Sequence, residues 1–187
     1  MDITQTLYVT SRKDWRNWLK KHHNTAPEIW LIYPKKETGQ PRIEYNDAVE
    51  EALCFGWIDS IVKKLDDTHT VQRFSPRKPK ASYSQANIER LRALVAKKKV
   101  IKEVEESLGD LLTREFVIPP DILKAIQADK QAWKNFKSFS DSYKRIRIAF
   151  IDGARKRPDE FKKRLKHFIE MTRQNKLFGF GGIEKHF

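Results

Sequence analysis

The chain has 187 residues, of which 39% are hydrophobic and 34% charged, with one cysteine, eleven Phe, five Trp and a formal net charge of +13. This composition excludes a protein held together by internal disulfides, and no stretch reaches the roughly 20 apolar residues that span a bilayer. The aromatic content also argues against a disordered chain. Residues 1–8 lack the charged start and apolar run of a secretory signal, so the sequence predicts a folded, cytoplasmic protein.

Residues 10–74 alternate between helical and strand-like patterns. Two segments repeat apolar residues at helical spacing, and three short runs of aromatic and branched residues are typical of strands. The second helix carries Glu50 and Glu51 on its expected outer face, and Gly56 is placed to stop it. In chain order, the predicted elements are helix 10–23, strand 28–34, helix 45–55 and an antiparallel hairpin of strands 57–65 and 70–74.

From residue 84 onward the apolar residues recur mostly at helical spacing. Helices are predicted over residues 85–99, 103–112 with a break at Gly109, 121–128, 130–139, 142–154 and 158–176. Together with the first half of the chain, they predict an α+β fold, in which a small, mostly antiparallel sheet with flanking helices is followed by a helical C-terminal half. We place the boundary between an α+β domain, residues 1–116, and a helical C-terminal region, residues 117–187.

The positive charge is concentrated in two stretches of the chain. Residues 1–74 hold 11 basic and 11 acidic side chains, whereas residues 75–102 hold 9 basic and 1 acidic, and residues 134–176 hold 14 and 5. Such a charge excess attracts phosphates, anionic lipid or an acidic protein. We therefore expect a surface for an anionic partner, formed by Lys78, Lys80, Lys97, Lys98, Arg155, Lys156 and Lys163.

The segment 54–60, "CFGWIDS", raises the question of catalysis, because it places the single cysteine near an aspartate and a serine. A nucleophilic cysteine needs a nearby histidine or a helix N-terminus, but Cys54 lies close to a predicted helix C-terminus, which raises a thiol pKa. Cys54 is therefore predicted to be a buried hydrophobic residue, and no catalytic residue is assigned. The histidines lack metal-ligand spacing and no phosphate-binding loop follows a strand, so neither a metal nor another cofactor is expected.

Asp59 is the polar residue of this segment that most needs an explanation. By strand alternation it shares a side with Trp57 and Ile61, two expected core residues, so its carboxylate would be partly buried and would need a basic partner. Arg73 on the next strand is the candidate partner for Asp59 or for a neighbour. Both a structural ion pair and a ligand pocket are consistent with this pattern. The residues that would line the pocket are Trp57, Asp59, Arg73, Ser75 and Arg77.

Three segments resemble the YdeI or OmpD-associated family, also called bacteriocin-protection or OmdA-like proteins. They are residues 52–60, "ALCFGWIDS", residues 73–87, "RFSPRKPKASYSQAN", and residues 149–171. In the third segment Ala154, Arg155, Arg164 and Leu165 fit the family pattern, whereas Glu160 and Phe161 stand where the family has threonine and arginine. The resemblance implies a cytoplasmic bacterial protein linked with envelope stress or antimicrobial-peptide resistance, with no established reaction.

Three functions are consistent with the sequence. The first is a non-enzymatic binding protein with a ligand near the 57–77 hairpin, where the polar side chains concentrate. The second is a nucleic-acid-binding module that uses residues 77–99 and 155–166, whose binding would weaken steeply with salt. The third is an undescribed enzyme, which a deep pocket with a perturbed carboxylate would indicate.

Overall fold

A computed structural model describes residues 2–78 and 81–179 of the chain. The strands in this part of the chain are β1 (Thr6–Leu7), β2 (Ile29–Pro34), β3 (Trp57–Lys64) and β4 (His69–Pro76). The helices are α1 (Arg12–His22), α2 (Tyr45–Cys54), α3 (Gln85–Ala96), α4 (Lys102–Ser107), α5 (Pro120–Gln127), α6 (Lys130–Ser138), α7 (Asp141–Asp152) and α8 (Pro158–Arg173). The predicted α+β class is confirmed, and so is the helical C-terminal half.

The four described strands form one mixed sheet in the order β1-β2-β4-β3. Strands β2 and β3 each pair antiparallel with β4, so the predicted hairpin is confirmed. Strand β1 pairs in parallel with β2, with Thr6 beside Trp30 and Leu7 beside Leu31. A strand of two residues is too short to show alternation, so the sequence does not predict it.

The hairpin contains a β-bulge that changes which residues are buried. The pairing of β3 with β4 shifts between Asp59 and Val62, so that Ser60 and Ile61 together lie opposite Arg73. This extra residue interrupts the alternation from which Ile61 is predicted to be a core residue. Ile61 is 42% exposed, and that prediction is therefore wrong.

The core of the N-terminal elements lies where helices α1 and α2 meet the sheet. Trp15 of α1 is fully buried, and its ring meets that of Phe74 edge-on, with 5.4 Å between the ring centroids. Its indole Nε1 donates to the backbone carbonyl of Ala48 in α2 at 3.0 Å. The Trp15 ring thus packs α1 against β4, and its indole N–H finds a hydrogen-bond acceptor in α2.

Helix α2 carries two buried carboxylates on the side that the sequence predicts to be its outer face. Glu50 and Glu51 are only 7% and 2% exposed. Glu51 lies 2.8 Å from Arg12 and 2.7 Å from Arg16, and Glu50 lies 2.9 Å from Arg12. The outer-face prediction is wrong because α1 lies against this side of α2 and supplies two arginines that pair with the acids.

The C-terminal helices pack around a core of their own. Asp129 caps α6 by accepting a hydrogen bond from the backbone N–H of Ala132 at 2.9 Å, and Ser140 caps α7 by accepting one from Tyr143 at 3.3 Å. The apolar faces of α5 to α8 meet in a buried cluster of Ile122, Ile126, Phe136, Tyr143, Ile148, Ile151 and Phe168. The helical spacing of these residues is the pattern from which the sequence predicts the four helices.

The chain divides into two compact units. The first holds residues Met1–Ser82 and Leu91–Gly109, and the second holds Tyr83–Arg90 and Asp110–Phe187. Helix α3 therefore contributes residues to both units. The domain boundary placed after residue 116 stays a prediction. No helix in the described part of the chain is long and apolar enough to cross a membrane.

Candidate functional site

The segment 54–56 joins the end of α2 to the start of β3. Cys54 is fully buried, and this burial raises the pKa of its thiol to about 11. The thiol is therefore protonated at neutral pH, as expected for a buried hydrophobic residue. Gly56 has a φ of +72° and donates its N–H to the carbonyl of Leu53 at 3.2 Å, which confirms it as the helix stop.

Trp57 and Asp59 begin strand β3 but do not face a common pocket with Arg73. Trp57 is 1% exposed, and its Nε1 donates to the backbone carbonyl of His23 at 3.0 Å, so it belongs to the core. The carboxylate of Asp59 accepts a hydrogen bond from the hydroxyl of Tyr45 at 2.6 Å. Asp59 lies opposite Phe74 in the strand register, and Arg73, one residue along β4, projects from the other face of the sheet.

Arg73 pairs with Glu28, a residue outside the predicted site. Its Nε donates to Glu28 Oε2 at 2.6 Å, while its Nη1 lies 3.2 Å from Ser60 Oγ and 3.3 Å from Ser75 Oγ. The predicted pairing of Arg73 with Asp59 is therefore wrong, and the alternative of a pairing with another residue is the one observed. Because the side chains of Arg73 and Glu28 are only 18% and 13% exposed, this is a partly desolvated ion pair.

The carboxylate of Glu28 is held ionised by three neighbours. Hydrogen bonds from Thr4 (2.6 Å), Arg73 (2.6 Å) and Trp30 (3.0 Å) lower the pKa of Glu28 from 4.5 to about 2. Thr4 lies just before β1, Trp30 lies in β2 and Arg73 lies in β4, so Glu28 ties these three parts of the chain together.

This low pKa predicts how stability depends on pH. Ionised Glu28 stabilises the folded state above about pH 4.5, and that stabilisation is lost as the pH falls from 4.5 towards 2. We expect the urea midpoint of the wild-type protein to fall more steeply across this range than that of the Glu28→Gln variant, which has no carboxyl to titrate. Parallel pH profiles for the two proteins would contradict the assignment.

The cationic residues at the end of the hairpin line a pocket of about 480 Å³. We call it the hairpin pocket. Its polar groups are Ser60, Arg73, Ser75, Arg77 and Lys78, and no carboxylate, histidine or cysteine is among its described lining residues. Pro27, Ile58, Pro76 and Ala81 complete the lining.

The segment after β4 shapes one side of the hairpin pocket. Arg77 donates its backbone N–H to the carbonyl of Gly56 at 2.9 Å, and its Nη2 donates to the carbonyls of Ala81 at 3.2 Å and Ser82 at 2.8 Å. The backbone of Arg77 is thus hydrogen-bonded just before the start of β3, and its half-buried guanidinium is hydrogen-bonded to residues 81 and 82. Lys78 is exposed at the pocket, and Lys80 lies outside the described residues.

The other members of the expected anionic-partner surface are distributed over both units. Lys97 and Lys98 are exposed just after α3, in the first unit. Lys156 and Lys163 are exposed in the second unit, together with Arg155. Arg155 makes two hydrogen bonds to Asp121, at 2.8 and 3.0 Å, pairs with Asp152 and lies over the ring of Phe161. Its guanidinium is therefore engaged in contacts within the protein.

Two residues of the site are not predicted from the sequence. Ser60 reaches Arg73 from the bulge of β3, and a bulge leaves no signal in the alternation of residue types. Glu28 reaches Arg73 across 45 positions of sequence, and local periodicity does not show such a contact. The sequence does place the carboxylate of Glu28 directly before the apolar run 29–34, and a carboxylate in that position must be solvated or paired.

Comparison with protein families gives two matches along the chain. Residues 7–107 match a family described as "Domain of unknown function (DUF8412)", and residues 115–175 match OmdA, described as "Bacteriocin-protection, YdeI or OmpD-Associated". The second match confirms the resemblance stated from the sequence, and the segments 52–60 and 73–87 fall within the first. No curated protein and no solved structure matches the chain.

Proposed function

The chain belongs to the DUF8412 family, whose function is unknown, and from this premise we propose that the protein is a non-enzymatic binder of small anions that uses the hairpin pocket. The description of the OmdA family names bacteriocin protection. As part of the same proposal, we assign this chain a role in bacterial stress and antimicrobial resistance, with a cytoplasmic location.

The observation that carries the proposal is the set of donors around one pocket. Arg73, Arg77 and Lys78 bring three positive charges to the described lining, which contains no carboxylate, and Glu28 pairs with Arg73 beside it. Ser60 and Ser75 add hydroxyl groups that donate to phosphate or carboxylate oxygens. A volume of about 480 Å³ is in the range of small-molecule sites.

Binding, and not catalysis, is the function that the lining supports. General acid–base or nucleophilic chemistry needs a titratable group or an activated nucleophile at the substrate. The described lining of the hairpin pocket supplies neither, since its serines contact an arginine and have no base beside them.

The test is a charge reversal at Lys78, whose side chain is exposed, so that we expect the variant to fold. Inorganic phosphate and citrate are titrated against the wild-type protein, Lys78→Glu and Lys13→Glu, a control with the same change in net charge on the exposed side of α1. We expect Lys78→Glu to weaken anion binding by about tenfold, which corresponds to ~1.4 kcal/mol, and Lys13→Glu to leave it nearly unchanged. Calorimetry measures both dissociation constants.

Two outcomes would argue against the proposal. Equal weakening by Lys78→Glu and Lys13→Glu would mean that only the overall positive charge attracts anions. If a short duplex oligonucleotide then bound with a steep salt dependence, the alternative of a nucleic-acid-binding module would be favoured. Absence of binding by either small anion to the wild-type protein would remove the pocket from consideration.

A further inference from the structure

A second pocket lies on the other face of the hairpin. It has a volume of about 210 Å³ and is lined by Tyr33 of β2, Gln72 of β4, Val62 of β3 and Tyr45 at the start of α2. We call it the tyrosine pocket. Gln72 precedes Arg73 in β4, so the two side chains project from opposite faces of the sheet and the two pockets are distinct.

A buried polar group of the tyrosine pocket has no hydrogen-bond partner among the described residues. Tyr33 is 8% exposed, and its buried hydroxyl has no hydrogen bond from or to any described residue. Gln72 is 5% exposed, and within residues 2–78 and 81–179 nothing hydrogen-bonds its side-chain amide. Most buried polar groups have hydrogen-bond partners, because leaving one unsatisfied destabilises the folded state. The unpartnered, buried hydroxyl of Tyr33, beside the amide of Gln72 in one pocket, points to a bound molecule.

The chemistry of these two groups indicates what that molecule presents. A glutamine amide offers a donor and an acceptor side by side, and its complement is another amide-type edge. Burial raises the pKa of the Tyr33 hydroxyl, which therefore remains a neutral donor at physiological pH. The floor of the pocket is thus suited to an uncharged group with adjacent donor and acceptor atoms.

The rim of the pocket selects against net charge and favours a flat body. Arg42 and Glu44 line the pocket, and the carboxylate of Asp59 is hydrogen-bonded to Tyr45 beside it, so an anion or a cation would meet repulsive as well as attractive charges. The exposed apolar surfaces of Tyr45, 47% exposed, and Val62, 59% exposed, flank the opening. The hydrogen bond from Tyr45 to Asp59 holds the tyrosine in place. A ring of small size would cover both surfaces.

We propose that the tyrosine pocket binds a small, net-neutral, planar molecule through an amide-type edge, as a lactam, a carboxamide or a nucleobase would present it. Gln72 and Tyr33 recognise the edge, and Tyr45 and Val62 cover the ring. This inference does not depend on anion binding in the hairpin pocket.

The test uses saturation-transfer NMR with uracil and nicotinamide as probes at millimolar concentration, and benzoate and benzylamine as charged rings of similar size. We expect the neutral probes to bind at least about tenfold more tightly than the charged ones. Gln72→Met, which keeps the side-chain volume without the amide, should weaken them by about tenfold, and Tyr33→Phe should weaken them without lowering the melting temperature. Ser75→Ala, on the opposite face of β4, is the matched control and should change nothing.

Three results would overturn the proposal. They are no saturation transfer to either neutral probe, equal binding of the charged rings, and unchanged binding in both Gln72→Met and Tyr33→Phe. If Gln72→Met does not fold, Tyr33→Phe decides the question, because it removes only a hydroxyl to which no described residue hydrogen-bonds. If the Tyr33 hydroxyl binds only a water molecule and no ligand, neither neutral probe will show saturation transfer, which is the first of these results.

Discussion

Replacing Glu51 by Gln is expected to lower the free energy of unfolding by about 3 kcal/mol, the cost of removing one partner from a buried ion pair. Glu51 is 2% exposed and lies within 2.8 Å of Arg12 and 2.7 Å of Arg16. Arg16 also donates to the carbonyl of Lys99 at 2.7 Å, so it is held in position when the carboxylate is gone. The neutral amide keeps the shape of Glu51 but leaves Arg16 without a negative charge to offset its desolvation.

The matched control for Glu51→Gln is Asp110→Asn. Asp110 pairs with Arg114 at 3.2 Å on the surface, where the two side chains are 75% and 67% exposed. An exposed pair of this kind contributes about 0–1 kcal/mol, so Asp110→Asn should change the urea midpoint very little. Similar losses for the two variants, measured by urea unfolding at neutral pH, would show that burial does not strengthen the Glu51 cluster.

Replacing Gly56 by Ala is the second change with a large expected effect, a loss of about 2–3 kcal/mol. A positive φ costs a residue with a side chain about 1–2 kcal/mol, and Gly56 has a φ of +72°. The new Cβ would also lie 3.1 Å from Cγ2 of Val104, which is closer than ordinary van der Waals contact. Backbone strain and overlap therefore act together at this position.

Gly39 and Val104 allow these two contributions to be separated. Gly39 has a similar φ of +65°, but a Cβ there would meet no atom within 4 Å, so Gly39→Ala should show the backbone cost alone, about 1 kcal/mol. In a Val104→Ala background, the cost of Gly56→Ala should fall towards that value because the overlapping methyl group is gone. An unchanged cost in the two backgrounds, measured by chemical unfolding, would rule out the steric contribution.

The elements of the fold that can be predicted from the sequence are those with a regular pattern of their own. The helices around Phe136 and Phe168, the hairpin and the stop at Gly56 each follow from residues that are close in sequence. The burial of Glu51 does not follow, because a glutamate on a helix is ordinarily exposed and only the packing of α1 brings two arginines to it. The residue type of Glu51 does not show that two arginines offset the cost of burying its charge.

The candidate site could be predicted only in part, because it too depends on contacts between residues that are distant in sequence. Arg73, Ser75 and Arg77 are found from their position on the hairpin, and all three line the pocket on one face of the sheet. The register of β4 against β2 and β3 decides which side chains share a face of the sheet. The bulge after Asp59 changes that register within β3. For this reason the sequence groups Asp59 with Arg73, although the folded protein separates them.

The division of the chain has a consequence for the order in which the protein folds during synthesis. The first unit includes Leu91–Gly109, which the ribosome makes only after the intervening residues Tyr83–Arg90 of the other unit. Within the first unit, the N–H of Ile101 donates to the carbonyl of Cys54 at 3.1 Å, and Arg16 donates to Lys99. A nascent chain that has emerged only to residue 82 lacks these bonds. A fragment meant to represent the first unit must therefore extend to residue 109.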